Sequence, residues 1–180
     1  MKSITAIIDW YGPYSIEEAT KASKFDYGDG VYMVIGKAKY ERNDKLQYIG
    51  LANDLGKRLS GHHHRIPEVK RDQKIWLGEV ASPRTPGRKV KVTDRMLDLA
   101  EWAHAFFLQL PLNGKKTSNP PDMAIVIYNR WWQKDYETQY KQRPHKNWPD
   151  FIDFCGNDYL AKVVWFGGKQ HAKLPREFKS

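Results

Sequence analysis

Residues 30–52 read GVYMVIGKAKYERNDKLQYIGLA and determine the predicted fold. Two short apolar runs, 31–35 and 46–49, flank a charged stretch that contains Gly36. This pattern is typical of a β-hairpin with an extended tip, because apolar runs form buried strands while the charged residues stay in solvent. We therefore predict a β-hairpin for this segment.

The segment before the hairpin predicts one strand and one helix. Residues 4–10 are rich in β-branched and apolar side chains and are followed by Gly12-Pro13, which indicates a strand that ends in a turn. Ser15 stands three residues before Glu18, a capping-box pattern that predicts a short helix to about residue 23.

The segment after the hairpin predicts two helices with a strand between them. Asn53 or Asp54 can cap a helix to about residue 63, whose Leu55 and Leu59 face the core. Residues 75–80 predict a strand. Thr93-Asp94 begins the strongest helix, which ends before Pro111.

The last third of the chain predicts a strand at 123–128, a short helix at 150–154 and a strand at 160–166. With 180 residues, the chain has the length of a single domain with a proper core. We expect an α+β fold: a small mixed or antiparallel sheet flanked by the Asn53 and Thr93 helices, with extra strands from both termini.

Several motifs of the chain occur in an order that resembles the GIY-YIG nuclease family. They are Gly30-Val31-Tyr32, Tyr48-Ile49-Gly50, Arg58 followed by His62, then Glu101, and Asn113 shortly after Pro111. The resemblance covers residues 27–116, which would form the catalytic core, with 1–26 and 117–180 as flanking extensions of one domain, 1–180. One departure is the stretch 33–47, which is longer than in compact members of the family.

The resemblance implies a role for each motif residue. Tyr32 would act as general base or proton relay, and Tyr48 and His62 would position water and phosphate. Arg58 would clamp the transition state, because a guanidinium is always charged and offers a planar fork to phosphate oxygens. Glu101 would hold Mg²⁺ or Mn²⁺. Asn113 would organise the site by hydrogen bonding.

The spacing of these residues also predicts side-chain directions that do not depend on the family resemblance. Arg58 and His62 are an i, i+4 pair and would project from one helix face. Glu101 falls roughly opposite the apolar stripe of its helix, so a solvated face is the alternative to a place in a cleft. His62-His63-His64 point about 100° apart on a helix and cannot share one metal ion.

The formal net charge of +9 favours a polyanionic partner. We assign to DNA contact the basic residues beside the motifs, those of the loop 82–91 and those of an aromatic-rich region. They are Lys57, Arg84, Arg88, Lys89, Lys115, Lys116, Arg130 and Lys134. The alternative for the aromatic-rich region, 128–148, is that its tryptophans cover the core and its charges are a solvated rim.

These features predict a metal-dependent DNA endonuclease, of a restriction-enzyme-like or mobile-element type. The alternatives are a repair nuclease of the same family selective for single-stranded or branched DNA, and a catalytically inactive DNA-binding module; RNA also stays open as a substrate. A palindromic target would favour a homodimer.

Cys155 is the only cysteine, and neither a bilayer-crossing apolar run nor a signal-peptide pattern occurs. We therefore expect a soluble protein in the cytoplasm.

Overall fold

The computed structural model describes residues 3–61, 63, 65–81 and 91–179. These residues form eight β-strands and three α-helices. In chain order they are β1 (Ile4–Tyr14), α1 (Ile16–Asp26), β2 (Gly30–Lys37), β3 (Lys45–Ala52), α2 (Leu55–Ser60), β4 (Arg71–Ala81), α3 (Asp94–Leu108), β5 (Ile125–Trp132), β6 (Phe151–Phe154), β7 (Ala161–Val164) and β8 (Gln170–Lys173). Short 3-10 turns lie at Ile66–Glu68 between α2 and β4, at Gly114–Thr117 between α3 and β5, and at Pro175–Phe178 after β8.

All eight strands belong to one mixed sheet, in the order β3-β2-β4-β1-β5-β6-β7-β8. β1 and β5 run parallel to each other, and every other neighbouring pair is antiparallel. The N-terminal strand β1 is therefore central, and it joins the hairpin half of the sheet to the C-terminal half.

The predicted fold class is wrong. The expected small sheet flanked by helices is replaced by a sheet of eight strands that dominates the described residues, and α2 is only 6 residues long. Strands that we expected as terminal additions are integral, because β1 pairs with both β4 and β5. Local sequence patterns predict that a segment forms a strand, but they do not reveal which strands pair with its two edges.

Individual elements were predicted with mixed success. The β2–β3 hairpin and α3 are confirmed, and Thr93 caps α3 by accepting from the Met96 amide. The helix predicted at 150–154 is wrong, since β6 occupies this segment with an alternating burial pattern. Four or five residues are too few to distinguish a period of 2 from one of 3.6.

The hairpin has side chains packed on both of its faces. Val31, Met33 and Ile35 lie in the core that α3 covers, whereas Tyr32 and Val34 face a second core that includes residues of α1 and α2. The β2–β3 pairing shifts between Val34–Tyr48 and Ile35–Leu46, which leaves Gln47 as an extra residue on β3. Because of this bulge, Tyr48 faces the Tyr32 side while Leu46 faces the other core.

Among the described helices, none has the length and apolar character required to cross a membrane.

Candidate active site

Tyr32 lies at the centre of the candidate site and is completely buried. It pairs with Gly50 on β3, and its ring lies directly over that glycine. A Cβ atom at Gly50 would overlap the Tyr32 ring, meeting Cε1 at 2.7 Å. Gly30, the first glycine of the motif, is also required by its surroundings, because a Cβ at this position would collide with the Gly78 carbonyl oxygen. Both motif glycines are thus required by close approach.

Tyr48 is the second phenol of the site. Its ring centroid lies 6.0 Å from that of Tyr32, and the residue is only partly buried. The two phenols share a face of the hairpin because Tyr48 is two residues from the partner of Tyr32 on β3. The structure therefore brings together the two tyrosines that the sequence singled out.

Arg58 reaches Tyr32 from α2. Its Nε atom donates to the phenolic oxygen at 3.4 Å, and this hydrogen bond is the largest cause that raises the pKa of Arg58. The buried Leu55 and Leu59 fix α2 against the hairpin, which holds the Arg58 side chain over Tyr32. The predicted proximity of Arg58 to the two tyrosines is present in the structure.

His63 contacts Tyr32. Its Nε2 atom lies 2.5 Å from the Tyr32 oxygen, and its ring packs edge-on against both tyrosines. His62, which we assigned by its spacing from Arg58, lies outside the described residues. The helix predicted to run to about residue 63 is shorter than expected, because α2 ends at Ser60 and Gly61 is its C-cap. A glycine after the last helical turn is the sequence signal that we missed.

The hydrogen bonds of His63 define its role. Its Nδ1 atom accepts from the amides of Arg65 at 3.2 Å and Ile66 at 3.1 Å. A ring nitrogen that accepts carries no proton, so in the neutral ring the proton is on Nε2. His63 therefore donates to the Tyr32 oxygen, as Arg58 does.

Burial raises the pKa of the Tyr32 phenol above its ordinary value, Tyr48 adds to the rise, and Arg58 opposes it. Desolvation disfavours the phenolate, whereas N–H donors favour it. In the protein without substrate Tyr32 is therefore a neutral phenol at neutral pH. The Tyr32 oxygen accepts from two N–H donors, which favour the phenolate. Further positive charge near this oxygen would favour the phenolate as well.

Glu101 lies on α3 and is 9% exposed. Leu97 and His104, which share its side of the helix, are fully buried, so the alternative of a solvated face is wrong. The carboxylate pairs with the Lys116 ammonium, which also donates to Asp98 Oδ1 at 2.7 Å. Burial raises the pKa of the Glu101 carboxyl, while Lys116 and the Arg58 guanidinium lower it.

The side chain of Asn113 is hydrogen-bonded to β3, the strand that carries Tyr48-Ile49-Gly50. Its Oδ1 accepts from the Ile49 amide at 2.9 Å, and its Nδ2 donates to the Ile49 carbonyl at 2.7 Å. The Leu112 amide donates to the Gln47 carbonyl at 3.0 Å, so the segment after α3 occupies the free edge of β3. Asn113 therefore holds the strand that carries Tyr48, which agrees with the organising role implied by the resemblance.

The residues assigned to DNA contact differ in their surroundings. Lys57 and Lys115 are exposed, and Lys134 pairs with Glu18 at 3.2 Å. Lys116 is engaged by the two carboxylates described above. Arg130 donates to both oxygens of Asp9, at 2.7 and 2.8 Å, so its fork is already occupied. The remaining three, Arg84, Arg88 and Lys89, lie outside the described residues.

The aromatic-rich region belongs largely to the core. Trp131 and Trp148 are buried, and Trp148 packs edge-on against Trp10 and Trp76. The Arg143 guanidinium donates to Asp150 at 2.7 Å. These contacts support the interpretation of core tryptophans with a solvated rim over that of a nucleic-acid groove.

The oxygen atoms around Glu101 suit a small hard cation. Glu101 and Asp98 already contact a single positive charge, the Lys116 ammonium. No group of three or more His, Cys, Asp and Glu side chains with metal-site geometry exists within 3–61, 63, 65–81 and 91–179. Mg²⁺ commonly takes one or two carboxylates and keeps several waters, so Glu101, alone or with Asp98, is the carboxylate that would hold a metal ion here.

Comparison with known proteins gives no relative, since no protein-family model, curated protein or solved structure matches this chain.

Proposed function

We propose that the chain is a divalent-metal-dependent endonuclease that hydrolyses DNA phosphodiester bonds, and that it belongs to the GIY-YIG nucleases. One observation carries the proposal: Tyr32, Tyr48 and Arg58 meet on one face of the β2–β3 hairpin. The Arg58 guanidinium also lowers the pKa of the buried Glu101 carboxyl. The convergence of two phenols and a guanidinium on one face of the hairpin supports the proposal.

In the proposed mechanism Arg58 binds the scissile phosphate. Its Nε atom contacts Tyr32, and we assign its two terminal nitrogens to phosphate oxygens. Charge that develops on the phosphate is then stabilised by a guanidinium that α2 already holds in place, so little reorganisation accompanies the reaction. Arg58 thereby links the phosphate to the phenol that handles the proton.

Tyr32 orients the attacking water and, once its own phenolic proton has passed to solvent, accepts the proton of that water as a phenolate. The buried phenol is neutral in the free protein, so its ionisation depends on positive charge brought to the site and on the donors Arg58 and His63. Tyr48, which is partly exposed, places the water against Tyr32. Both phenols thus act on the nucleophile, and Arg58 acts on the phosphate.

Glu101 is the proposed ligand of Mg²⁺ or Mn²⁺. A divalent cation bound there would supply Lewis-acid stabilisation of the phosphate charge. Lys57, which precedes Arg58, and Lys115, which lies two residues after Asn113, are both exposed, and we assign them to the DNA backbone. The net charge of +9 agrees with a polyanionic substrate.

The nearest alternative within the same chemistry is a nuclease that selects single-stranded or branched DNA rather than a restriction-like target. A second is an inactive module that binds DNA without cutting it. A homodimer would accompany a palindromic target. Each alternative gives a different outcome in the experiment below.

The test incubates purified protein with supercoiled plasmid, single-stranded DNA and branched DNA, each with Mg²⁺ or with EDTA. Cutting that needs Mg²⁺ and falls by about 100-fold or more in Arg58→Ala and Glu101→Gln is expected, as is usual when a charge-stabilising group is lost. The exposed Arg176→Ala and Glu17→Gln are matched controls that should cut like the wild type. Salt-sensitive binding without cutting of any substrate would instead identify the inactive module.

A further inference from the structure

Lys116 occupies an unexpected position for a lysine that we assigned to DNA. It lies in the 3-10 turn Gly114–Thr117, directly after Asn113, and its side chain is 27% exposed. Its ammonium turns inward and contacts Asp98 and Glu101 together. Lys116 is therefore part of the Glu101 site.

The reason for this arrangement is the burial of Glu101. A carboxylate that is removed from water needs a compensating charge, because desolvation strongly disfavours an unpaired ion. The Glu101 side chain is 12% exposed, and Lys116 supplies that charge within the chain. The ammonium thus lies where a cation bound by the same carboxylates would carry its charge.

We propose that Lys116 is a resident counter-ion that competes with the divalent metal for Glu101, so that metal binding requires the ammonium to withdraw. This inference rests on the proposed function, in which Glu101 is the metal ligand. One carboxylate oxygen cannot accept closely from an ammonium and coordinate a small cation at full strength, since the two like charges would repel.

The surroundings of Lys116 allow such a withdrawal. Its side chain is long and flexible, and its turn contains the exposed Lys115 and the exposed Gly114, which has a φ of +48°. The segment is anchored just before the turn by the two hydrogen bonds of Asn113 to Ile49. The ammonium can therefore leave Glu101 without movement of the strand that carries Tyr48.

The test measures Mn²⁺ affinity directly, from the electron paramagnetic resonance signal of free Mn²⁺, with no DNA present. Lys116→Gln and Lys116→Met both remove the charge, and the glutamine keeps an N–H donor for Glu101. We expect both variants to bind Mn²⁺ at least 5-fold more tightly than the wild type, about what the loss of one competing charge contributes at a partly exposed site. Lys21→Gln, a change on the exposed face of α1, should leave the affinity unchanged.

The double variant Lys116→Gln/Glu101→Gln should lose the gain, which assigns it to Glu101. Thermal unfolding of each variant verifies that it is folded. If Lys116→Met does not fold, the comparison with the wild type uses Lys116→Gln alone. Equal or weaker Mn²⁺ binding in the folded Lys116→Gln variant overturns the inference, even if the wild type cuts DNA with Mg²⁺. Tighter binding through Glu101 in a protein that cuts no DNA upholds the inference and refutes the proposed function.

Discussion

The Nε2 atom of His63 lies 2.5 Å from the phenolic oxygen of Tyr32, while its Nδ1 atom accepts from two backbone amides. The amides fix the neutral imidazole in the tautomer with a proton on Nε2. His63 therefore donates to Tyr32 and helps to set both the position and the ionisation of the phenol.

The first prediction separates His63 from His62. In His63→Asn the amide oxygen can still accept from the Arg65 and Ile66 amides, but the side chain is too short to reach Tyr32. We expect DNA cleavage to fall by about 10- to 100-fold, the usual effect of losing a hydrogen bond that orients a reacting group. The matched His62→Asn variant should cut close to the wild-type rate in the same plasmid assay.

Loss of cleavage in His62→Asn, with His63→Asn unaffected, would restore the assignment made from the sequence. Thermal unfolding of both variants distinguishes a lost contact from a lost fold. A folded His63→Asn protein with full activity would show that the contact with Tyr32 has no role in the reaction.

The second prediction concerns the glycine beneath Tyr32. Gly50→Ala places a methyl group into the Tyr32 ring, so the ring or the strand must shift. We expect a loss of roughly 1–3 kcal/mol in the free energy of unfolding, typical of overpacking, together with a fall in cleavage. Urea titration measures the first effect and the plasmid assay the second.

Gly28→Ala is the matched control, because no atom would lie within 4 Å of its new Cβ. It should unfold at nearly the wild-type urea concentration. Equal stability of Gly50→Ala and Gly28→Ala would contradict the placement of Tyr32 over Gly50.

The parts of the site that could be predicted from the sequence are those whose residues lie close together in the chain. Tyr32, Tyr48 and Arg58 lie within 27 residues of chain on a hairpin and the helix after it, so local patterns were sufficient to place them together. Glu101 required the motif order, because its helical position alone left a solvated face open. His63 was missed because we extended α2 past Gly61, and the inward turn of Lys116 follows from the burial of Glu101, which the sequence does not reveal.

The sheet was mispredicted for a different reason. Local sequence patterns predicted β1 and β5 as strands, yet nothing in them indicates that β1 pairs with β4 and β5, more than 60 and 110 residues away. Strand pairing over such distances is determined by the packing of the whole chain. Arg130 was misplaced on the DNA surface because its partner, Asp9, lies on the paired strand β1.

The third prediction concerns stability and pH. His104 is fully buried and takes part in a hydrogen-bond network: Nδ1 donates to the Ala100 carbonyl at 2.8 Å, and Nε2 accepts from Asn129 at 3.0 Å. Burial lowers the pKa of His104 to about 4. Between pH 6.5 and 4 the unfolded chain therefore binds a proton that the folded protein does not, so stability is lost as the pH falls through this window.

We expect the shifted titration of His104 to lower the free energy of unfolding by about 2–3 kcal/mol as the pH falls from 7 to 4.5. Urea titrations of the wild type and His104→Gln at both pH values measure the effect, because titrations of other groups cancel in the difference. The variant should show the shallower pH dependence. Parallel pH dependence in the two proteins would show that His104 titrates alike in the folded and unfolded states.

The most direct test of the central claim is the single-turnover rate of DNA cleavage by Tyr32→Phe with Mg²⁺. This change removes only the oxygen atom on which His63 and Arg58 converge and keeps the ring that packs over Gly50. We predict Mg²⁺-dependent cleavage by the wild type and a rate at least about 100-fold lower in the folded variant, the usual contribution of a positioned acid–base group. Equal rates in the two proteins, or no cleavage by the wild type on any DNA substrate, would contradict the account.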